Sequence, residues 1–166
     1  MKKLQEAAIA HLSKRGVTKR DIAELVYVLQ EQYIADLTLD MCLKSVEKVL
    51  AKRDVQNAIL TGIALDQLAE QNQLEEPLQS IIRQDSGLYG VDEVLALAII
   101  NVYGSIGLTN YGYIDKTKPG ILANLDRKTS GSCHTFLDDI VGAIAAAASS
   151  RLAHAQGQDN MEDEDD

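Results

Sequence analysis

The sequence contains no tryptophan, one phenylalanine, two prolines and two cysteines. Aromatic residues make up 4% of the chain, so aliphatic side chains must fill most of any core. Cys42 and Cys133 lie far apart and lack the closely paired spacing that is typical of zinc sites. Because isolated thiols are typical of a reducing compartment, we expect a cytoplasmic protein.

Long hydrophobic runs are also absent. The two longest, residues 94–100 and 140–148, fall far short of the roughly 20 residues that a membrane-crossing helix needs. The first residues form an amphipathic pattern instead of the apolar stretch of a signal peptide. We therefore predict no transmembrane segment. Peripheral membrane contact through the basic first helix stays open, although its alanine- and leucine-rich face, without aromatic anchors, favours packing on the core.

The chain has no surplus of basic residues. Its formal net charge is −9, and six of its 25 acidic residues follow Gln158, so the remainder is closer to neutral. A nucleic-acid partner is therefore not expected, because such proteins present a basic surface to phosphates. We predict a domain over residues 1–156 and a disordered acidic tail over 157–166.

The alternating pattern of half-buried strands is missing, whereas helical periodicity recurs along the chain. We predict an all-α single domain of about six to seven helices, with a central long helix over 38–71 surrounded by the others. Thr18, Thr38 and Thr135 are predicted N-caps, the last one opening a helix over 136–155. A mostly apolar helix from Val91 is placed in the interior, and residues 103–118 are predicted to form tight turns because of their glycines.

The alanine-rich run 143–148 has two interpretations. It either reflects helix propensity alone, or its small side chains let a neighbouring backbone approach closely. Close packing could occur within the chain or between subunits. Together with the apolar helix from Val91, this run predicts a homo-oligomer.

Acidic residues form two adjacent pairs in the C-terminal half: Asp92 with Glu93, and Asp138 with Asp139. Each pair could simply complement a helix dipole. However, both pairs precede apolar helices, where uncompensated charge is costly, and a divalent cation would compensate it. Carboxylate oxygens favour Mg²⁺, which commonly bridges to a phosphate. Lys118 and Arg127 could then bind phosphate, unless each only pairs with a nearby aspartate.

The spacing D-x-x-K-P-x₆-D-R-x₃-G-x₆-D-D-I-V runs from Asp115 to Val141. It resembles the C-terminal signature of the phosphatidylglycerophosphatase A family. Asp85, followed by Asp92 and Glu93, resembles the other acidic element of that family. The family-like part of the chain covers about residues 59–154.

This resemblance implies a hydrolase of lipid metabolism that removes the terminal phosphate of phosphatidylglycerophosphate with Mg²⁺ as cofactor. The expected substrate is a phosphorylated lipid or a small phosphomonoester. The resemblance assigns metal binding and catalysis to carboxylates and phosphate binding to two cations. The residues are Asp92, Glu93, Asp138 and Asp139 for metal binding and catalysis, Asp115 for metal binding, and Lys118 and Arg127 for the phosphate.

The alternative is a non-catalytic regulatory or binding protein that retains the acidic metal site of the family. The two hypotheses predict different geometry. Catalysis requires the carboxylates to converge on an accessible cavity with Lys118 or Arg127 facing it, whereas a structural cation would lie in a closed site.

Overall fold

A computed structural model describes residues 2–127 and 131–162, with side chains described as far as Ala155. All of its regular structure is helical, so the predicted all-α class is confirmed, and no strand occurs in these two ranges. The described elements, nine α-helices and one 3₁₀ turn, exceed the six to seven predicted. They are α1 (Lys2–Lys14), α2 (Lys19–Gln30), α3 (Leu39–Leu50), α4 (Arg53–Glu70), α5 (Leu78–Arg83), α6 (Val91–Ile100), the 3₁₀ turn (Asn101–Tyr103), α7 (Gly104–Thr117), α8 (Ile121–Leu125) and α9 (Leu137–Glu162).

Local capping sets the starts of α2 and α3, as predicted. The Thr18 hydroxyl accepts the Asp21 amide at 3.2 Å, and the Asp21 carboxylate accepts the Thr18 amide at 2.7 Å, which completes a capping box. The Thr38 hydroxyl accepts the Met41 amide at 3.3 Å. Both caps satisfy helix N-terminal amides that would otherwise lack a partner.

The predicted long helix over 38–71 is wrong, because it consists of two helices, α3 and α4. Lys52 adopts an extended conformation between them, with φ −76° and ψ 133°. The Gln56 side-chain amide donates to the Leu50 carbonyl at 2.9 Å and so satisfies a carbonyl that the end of α3 leaves without a helical partner. The apolar spacing continues across the break, which is why periodicity alone does not reveal it.

The central helix is α9. Every residue from 136 to 150 is buried, and α9 packs against α2, α3, α4, α6, α7 and α8. The alanines at 143 and 145–148 are fully buried, and the Ser45 hydroxyl on α3 donates to the Ala148 carbonyl at 2.9 Å. The close-packing interpretation of this run is therefore correct within one chain, and the predicted homo-oligomer stays a prediction.

The helix runs to Glu162, past the predicted end near Ala155. The predicted tail boundary stays a prediction, and residues 163–166 lie outside the described part.

Residues 104–117 form helix α7, so the prediction of tight turns there is wrong. Gly107 is buried where a Cβ would lie 3.0 Å from the Ile100 side chain, so this glycine permits close helix packing. Gly104, with φ +70°, marks the bend that separates α7 from the preceding 3₁₀ turn. The glycines thus serve packing and one bend, while the helix itself is held against α9.

The outer side of α6 and α7 is apolar and exposed, so the prediction that α6 lies wholly in the interior is also wrong. Val91, Val94 and Leu97 on α6 and Leu108 on α7 are among its exposed side chains. By length and composition the run Val91–Thr117 could cross a membrane, with 28% of the apolar window buried. Both of its helices pack against α9, as helices of a folded core also do.

A buried carboxylate on α4 holds the segment that leads into α9. The buried Asp66 carboxylate on α4 accepts the Phe136 and Leu137 amides, each at 3.0 Å. Thr135, the predicted cap, instead donates its hydroxyl to the Ile82 carbonyl at 2.7 Å. The predicted capping role therefore belongs to Asp66, because a carboxylate with two oxygens can accept both amides at once.

Replacing Asp66 by alanine should destabilise the protein by about 2–6 kcal/mol, because two buried amides lose their acceptor at roughly 1–3 kcal/mol each. Urea unfolding followed by circular dichroism measures this loss. Asp66→Asn, which keeps one acceptor oxygen, should fall between the parent and Asp66→Ala. Asp40→Ala removes an exposed first-turn acid of α3 and should cost less than about 1 kcal/mol. Equal losses for Asp66→Ala and Asp40→Ala would contradict the capping role.

Candidate active site

The N-termini of α6 and α9 present matching aspartates. Asp92 and Asp138 are each the second residue of their helix. Each accepts, through Oδ1, the amide of the following residue, at 3.0 Å for Asp92 and 2.9 Å for Asp138. This bond orients both carboxylates at helix ends whose dipoles favour negative charge. The adjacent acid pairs in the sequence therefore do complement helix dipoles, and they also converge in space.

A cavity of about 220 Å³ lies where these two helix ends meet the C-terminal end of α7. We call it the acidic chamber. Lys118, Asp85 and Asp126 line it, together with all five predicted metal ligands. Those five are Asp92, Glu93, Asp115, Asp138 and Asp139. The chamber reaches solvent, because Asp85, Glu93 and Asp126 are exposed. The fold thus brings the predicted carboxylates together around an accessible space.

Lys118 lies between two of these carboxylates. It ends α7 in the left-handed conformation with φ +45°, which turns its side chain into the chamber. Its Nζ is 2.9 Å from Asp115 Oδ1 and 2.7 Å from Asp138 Oδ2. Burial opposes the charge of Lys118, but the two carboxylates outweigh that effect and raise its pKa. The ammonium group therefore supplies positive charge to the cluster.

Three aspartates of the chamber, Asp92, Asp138 and Asp139, bind protons more tightly than ordinary carboxyl groups. Burial, reinforced by the neighbouring Asp138 charge, raises the pKa of Asp139 to about 8. Burial also raises the pKa of Asp138, against the opposing effect of Lys118, and raises the pKa of Asp92. The single lysine therefore leaves part of the negative charge in the chamber uncompensated.

The donor chemistry of the chamber fits a hard divalent cation, since its ligating groups are carboxylate oxygens and Lys118 pairs with two of the carboxylates, those of Asp115 and Asp138. Within the part of the chain that the structure describes, no three His, Cys, Asp or Glu side chains are arranged to hold a metal ion. Binding a cation requires these carboxylates to draw closer together than they are here.

Arg127, the second predicted phosphate-binding residue, does not line the acidic chamber. It lines an adjoining cavity of about 320 Å³, which we call the basic chamber. The two chambers share Asp85, Asp126, Thr135 and Asp138 as their boundary. The structure therefore separates Lys118 from Arg127 by a row of boundary residues.

Arg83 and His134 also line the basic chamber, and the sequence gives little indication of either. Arg83 belongs to the short helix α5, two positions before Asp85 of the acidic element. Its Nη1 donates to the Ser132 carbonyl at 2.9 Å. His134 Nδ1 donates to the Leu125 carbonyl at 3.0 Å. Both residues reach this cavity through the folding of loops, which produces no recognisable pattern in the local sequence.

The family model for phosphatidylglycerophosphatase A matches residues 9–154 of this chain. The chain belongs to the phosphatidylglycerophosphatase A family. The match begins in α1, so the family-like part is longer than the predicted 59–154 and includes the amphipathic N-terminal helices. Family membership indicates phosphatase-related chemistry.

Several relatives share nearly the whole chain. The uncharacterized protein YutG of Bacillus subtilis is 66% identical over 151 residues, which cover 91% of each protein. A protein of unknown function from Bacillus stearothermophilus has a solved structure with TM-score 0.89 and 68% identity, covering 91% of this chain and 94% of that one. The low temperature requirement C protein from Listeria monocytogenes superposes with TM-score 0.91 and 63% identity, covering 93% and 97% of the two chains. The fold is thus shared with these two solved structures.

The raised pKa of Asp139 predicts a pH-dependent stability for the metal-free protein. A carboxyl group that binds its proton more tightly when folded stabilises the fold below its unfolded pKa, and this contribution is lost as pH rises through the folded value. For Asp139 the window runs from about 4 to about 8. The free energy of unfolding should therefore fall from pH 6 to pH 8.5.

Urea unfolding in EDTA at these two pH values tests this expectation. In Asp139→Asn this side chain cannot ionise. The free energy of unfolding of this variant should therefore fall by on the order of 1–3 kcal/mol less than that of the parent over that interval. Asp54→Asn changes an exposed first-turn acid of α4 and should follow the parent. If Asp139→Asn also follows the parent, Asp139 does not carry the effect.

Proposed function

We propose that this protein is a Mg²⁺-dependent phosphomonoesterase that hydrolyses phosphatidylglycerophosphate or a related phosphorylated alcohol. The observation that carries the proposal is the acidic chamber, where five predicted carboxylates and Lys118 line one accessible cavity. An accessible cavity with Lys118 facing it supports catalysis over a closed structural site, with the carboxylates drawing closer together around a bound cation.

In this proposal Asp92, Glu93, Asp115, Asp138 and Asp139 hold the cation. When bound, Mg²⁺ would lower the pKa of a coordinated water and neutralise charge on the phosphoryl oxygens. The amides of Glu93 and Asp139 keep the Asp92 and Asp138 carboxylates oriented.

Lys118 has a second role in the proposed reaction. Its ammonium group already lies within hydrogen-bond distance of Asp138 and Asp115, at the place where a phosphate would meet the carboxylates. As a compact positive charge it is suited to bind a phosphoryl oxygen once a cation compensates the two aspartates. Its left-handed backbone conformation fixes where that charge enters the chamber.

The alternative function is a non-catalytic protein that binds a cation through the same carboxylates. It shares the acidic residues and the family membership with the enzyme. It differs in requiring no access for a substrate, so the exposure of Asp85, Glu93 and Asp126 favours the enzyme. Measured turnover distinguishes the two.

Phosphate release by the purified protein is the direct test, with phosphatidylglycerophosphate in mixed micelles, glycerol 3-phosphate and an aryl phosphate as substrates. We expect release that requires Mg²⁺. Asp138→Asn should lower kcat/KM by at least about a hundredfold, because the cation contributes several kcal/mol to transition-state stabilisation. Asp54→Asn, an exposed first-turn acid that lines neither chamber, should retain the parent rate. Mg²⁺ binding without release from any substrate would instead support the non-catalytic alternative.

Cation binding should also release protons, because the pKa of Asp139 is about 8 and burial raises the pKa of Asp138 and Asp92. Apparent Mg²⁺ affinity should therefore increase from pH 6 to pH 8.5. Calorimetry in two buffers with different ionisation enthalpies measures the number of protons released. Asp139→Asn should reduce that number, and Asp54→Asn should not. Affinity that stays constant over this interval would argue against these aspartates as ligands.

A further inference from the structure

The outer side of α6 and α7 presents a surface without charge. Residues 94–114 contain no Asp, Glu, Lys, Arg or His. One side of each helix packs against α9, and the opposite side exposes large apolar side chains, with exposed fractions from 38% to 64%. These side chains are Val94, Leu97, Val102, Ile106, Leu108 and Tyr113. We call the surface that they form the uncharged face. None of its six side chains lines either chamber, so its role is separate from the proposed chemistry.

The uncharged face has the size and continuity of a protein interface. Its exposed positions follow one stripe on each helix, at 91, 94, 97 and 98 on α6 and at 105, 109, 112 and 116 on α7. The run Val91–Thr117 spans 27 residues, and 28% of its most apolar window is buried. Soluble monomers rarely expose a contiguous apolar patch beyond a few hundred Å². A stable interface takes roughly 20–30 residues from each partner, which this run can supply.

Two features of α7 have no purpose within one chain. Gly112 lies inside the helix and is exposed, and a Cβ there would meet no atom within 4 Å. Glycine weakens a helix interior, but it lets another backbone approach closely. The side-chain nitrogen of Asn110 is buried without a hydrogen-bond partner among the described residues, beside a groove of about 420 Å³ that Gln30 and Tyr33 also line. A second molecule that packs on α7 would use the space above Gly112 and could supply an acceptor to the groove.

The charges that border the uncharged face argue against a membrane as its partner. Asp92, Glu93 and Asp115 flank the uncharged run, and Lys116 is the one basic residue between Val91 and Thr117. Helices that lie on anionic lipid carry Lys and Arg on their polar side, because the negative surface potential attracts them. The acidic border would be repelled by such a surface. The partner is therefore expected to be a protein.

We propose that the uncharged face binds the same face of a second copy of this chain, forming a two-fold symmetric dimer. In a two-fold interface the same patch is present on both subunits, so a patch of one charge would meet its own sign. A surface without charge avoids this repulsion even though the chain carries a net charge of −9. The exposed apolar side chains of one copy then bury those of the other.

Sedimentation velocity of the full chain at micromolar concentration tests the dimer. The parent should sediment with at least twice the chain mass of 18.1 kDa. Val94→Glu and Leu108→Glu each place a carboxylate in the interface on both copies, and each should raise the dimer dissociation constant by at least about hundredfold. Val28→Glu is the matched control, because Val28 is an exposed valine on α2 outside the uncharged face. It should keep the mass of the parent.

A chemical modification after folding separates lost association from failed folding. Cys42 and Cys133 are both buried, so a cysteine introduced at the surface can be modified selectively. Ser105→Cys lies on the stripe of α7, and Ser13→Cys lies at an exposed position of α1. Both variants are labelled with a bulky maleimide at high dilution and then concentrated. The labelled Ser105→Cys protein should stay monomeric, whereas the labelled Ser13→Cys protein should dimerise like the parent.

Three results would overturn the proposal. The first is a parent that is monomeric at micromolar concentration. The second is a parent assembly that survives both glutamate variants and the label at position 105, because it would then use another surface. The third is a monomeric parent that sediments with phosphatidylcholine vesicles, or with vesicles that also contain phosphatidylglycerol, and loses this binding in Val94→Glu. That third result would assign the uncharged face to lipid.

Discussion

The fold depends on one buried carboxylate. Asp66 is fully buried on α4 and accepts the amides of Phe136 and Leu137, which fixes where α9 begins. A lone charge there would be costly, and burial raises the pKa of Asp66 to about 7. Arg15 lies near enough to lower that pKa again, while its guanidinium forms a bidentate pair with Glu70 at 2.6 and 2.9 Å. The same pair also binds both backbone groups of Cys133, three residues before Phe136: the Arg15 guanidinium donates to its carbonyl and its amide donates to Glu70. The chain therefore arrives at α9 in one position.

That position serves both the core and the chemistry. The first turn of α9 carries Asp138 and Asp139 into the acidic chamber, and the following turns supply the fully buried run that six other helices cover. A displacement of the helix would therefore disturb packing and the site together. The arrangement places aspartates beside apolar side chains, and burial raises their pKa as a result. Core packing and the proton affinity of these aspartates are thus set by the position of one helix.

The sequence predicted the parts of the structure that depend on local interactions. The Thr18 and Thr38 caps need only residues three positions away, and the convergence of the acid pairs followed from their place at helix starts and from the family spacing. Features set by tertiary contacts were not predictable. The break after Leu50 depends on Gln56 folding back, α7 forms despite its glycines because it packs on α9, and Asp66 looks like an ordinary polar residue in its helix. Arg83 joins the cleft only through the path of the loop around Ser132.

The central helix follows the other eight described α-helices in the chain, and this order constrains how the core is assembled. During synthesis α1 to α8 leave the ribosome before residues 136–150, against which six of them pack. Until that segment emerges, the faces that pack on it have no partner, although pairs such as α1 with α4 and α2 with α3 can already form, and the nascent chain has no complete core to fold around. The core is therefore completed only after residues 136–150 have emerged. Long exposure of apolar surface favours aggregation, so the interval between the synthesis of α2 and that of α9 is the period in which this chain is most exposed to it.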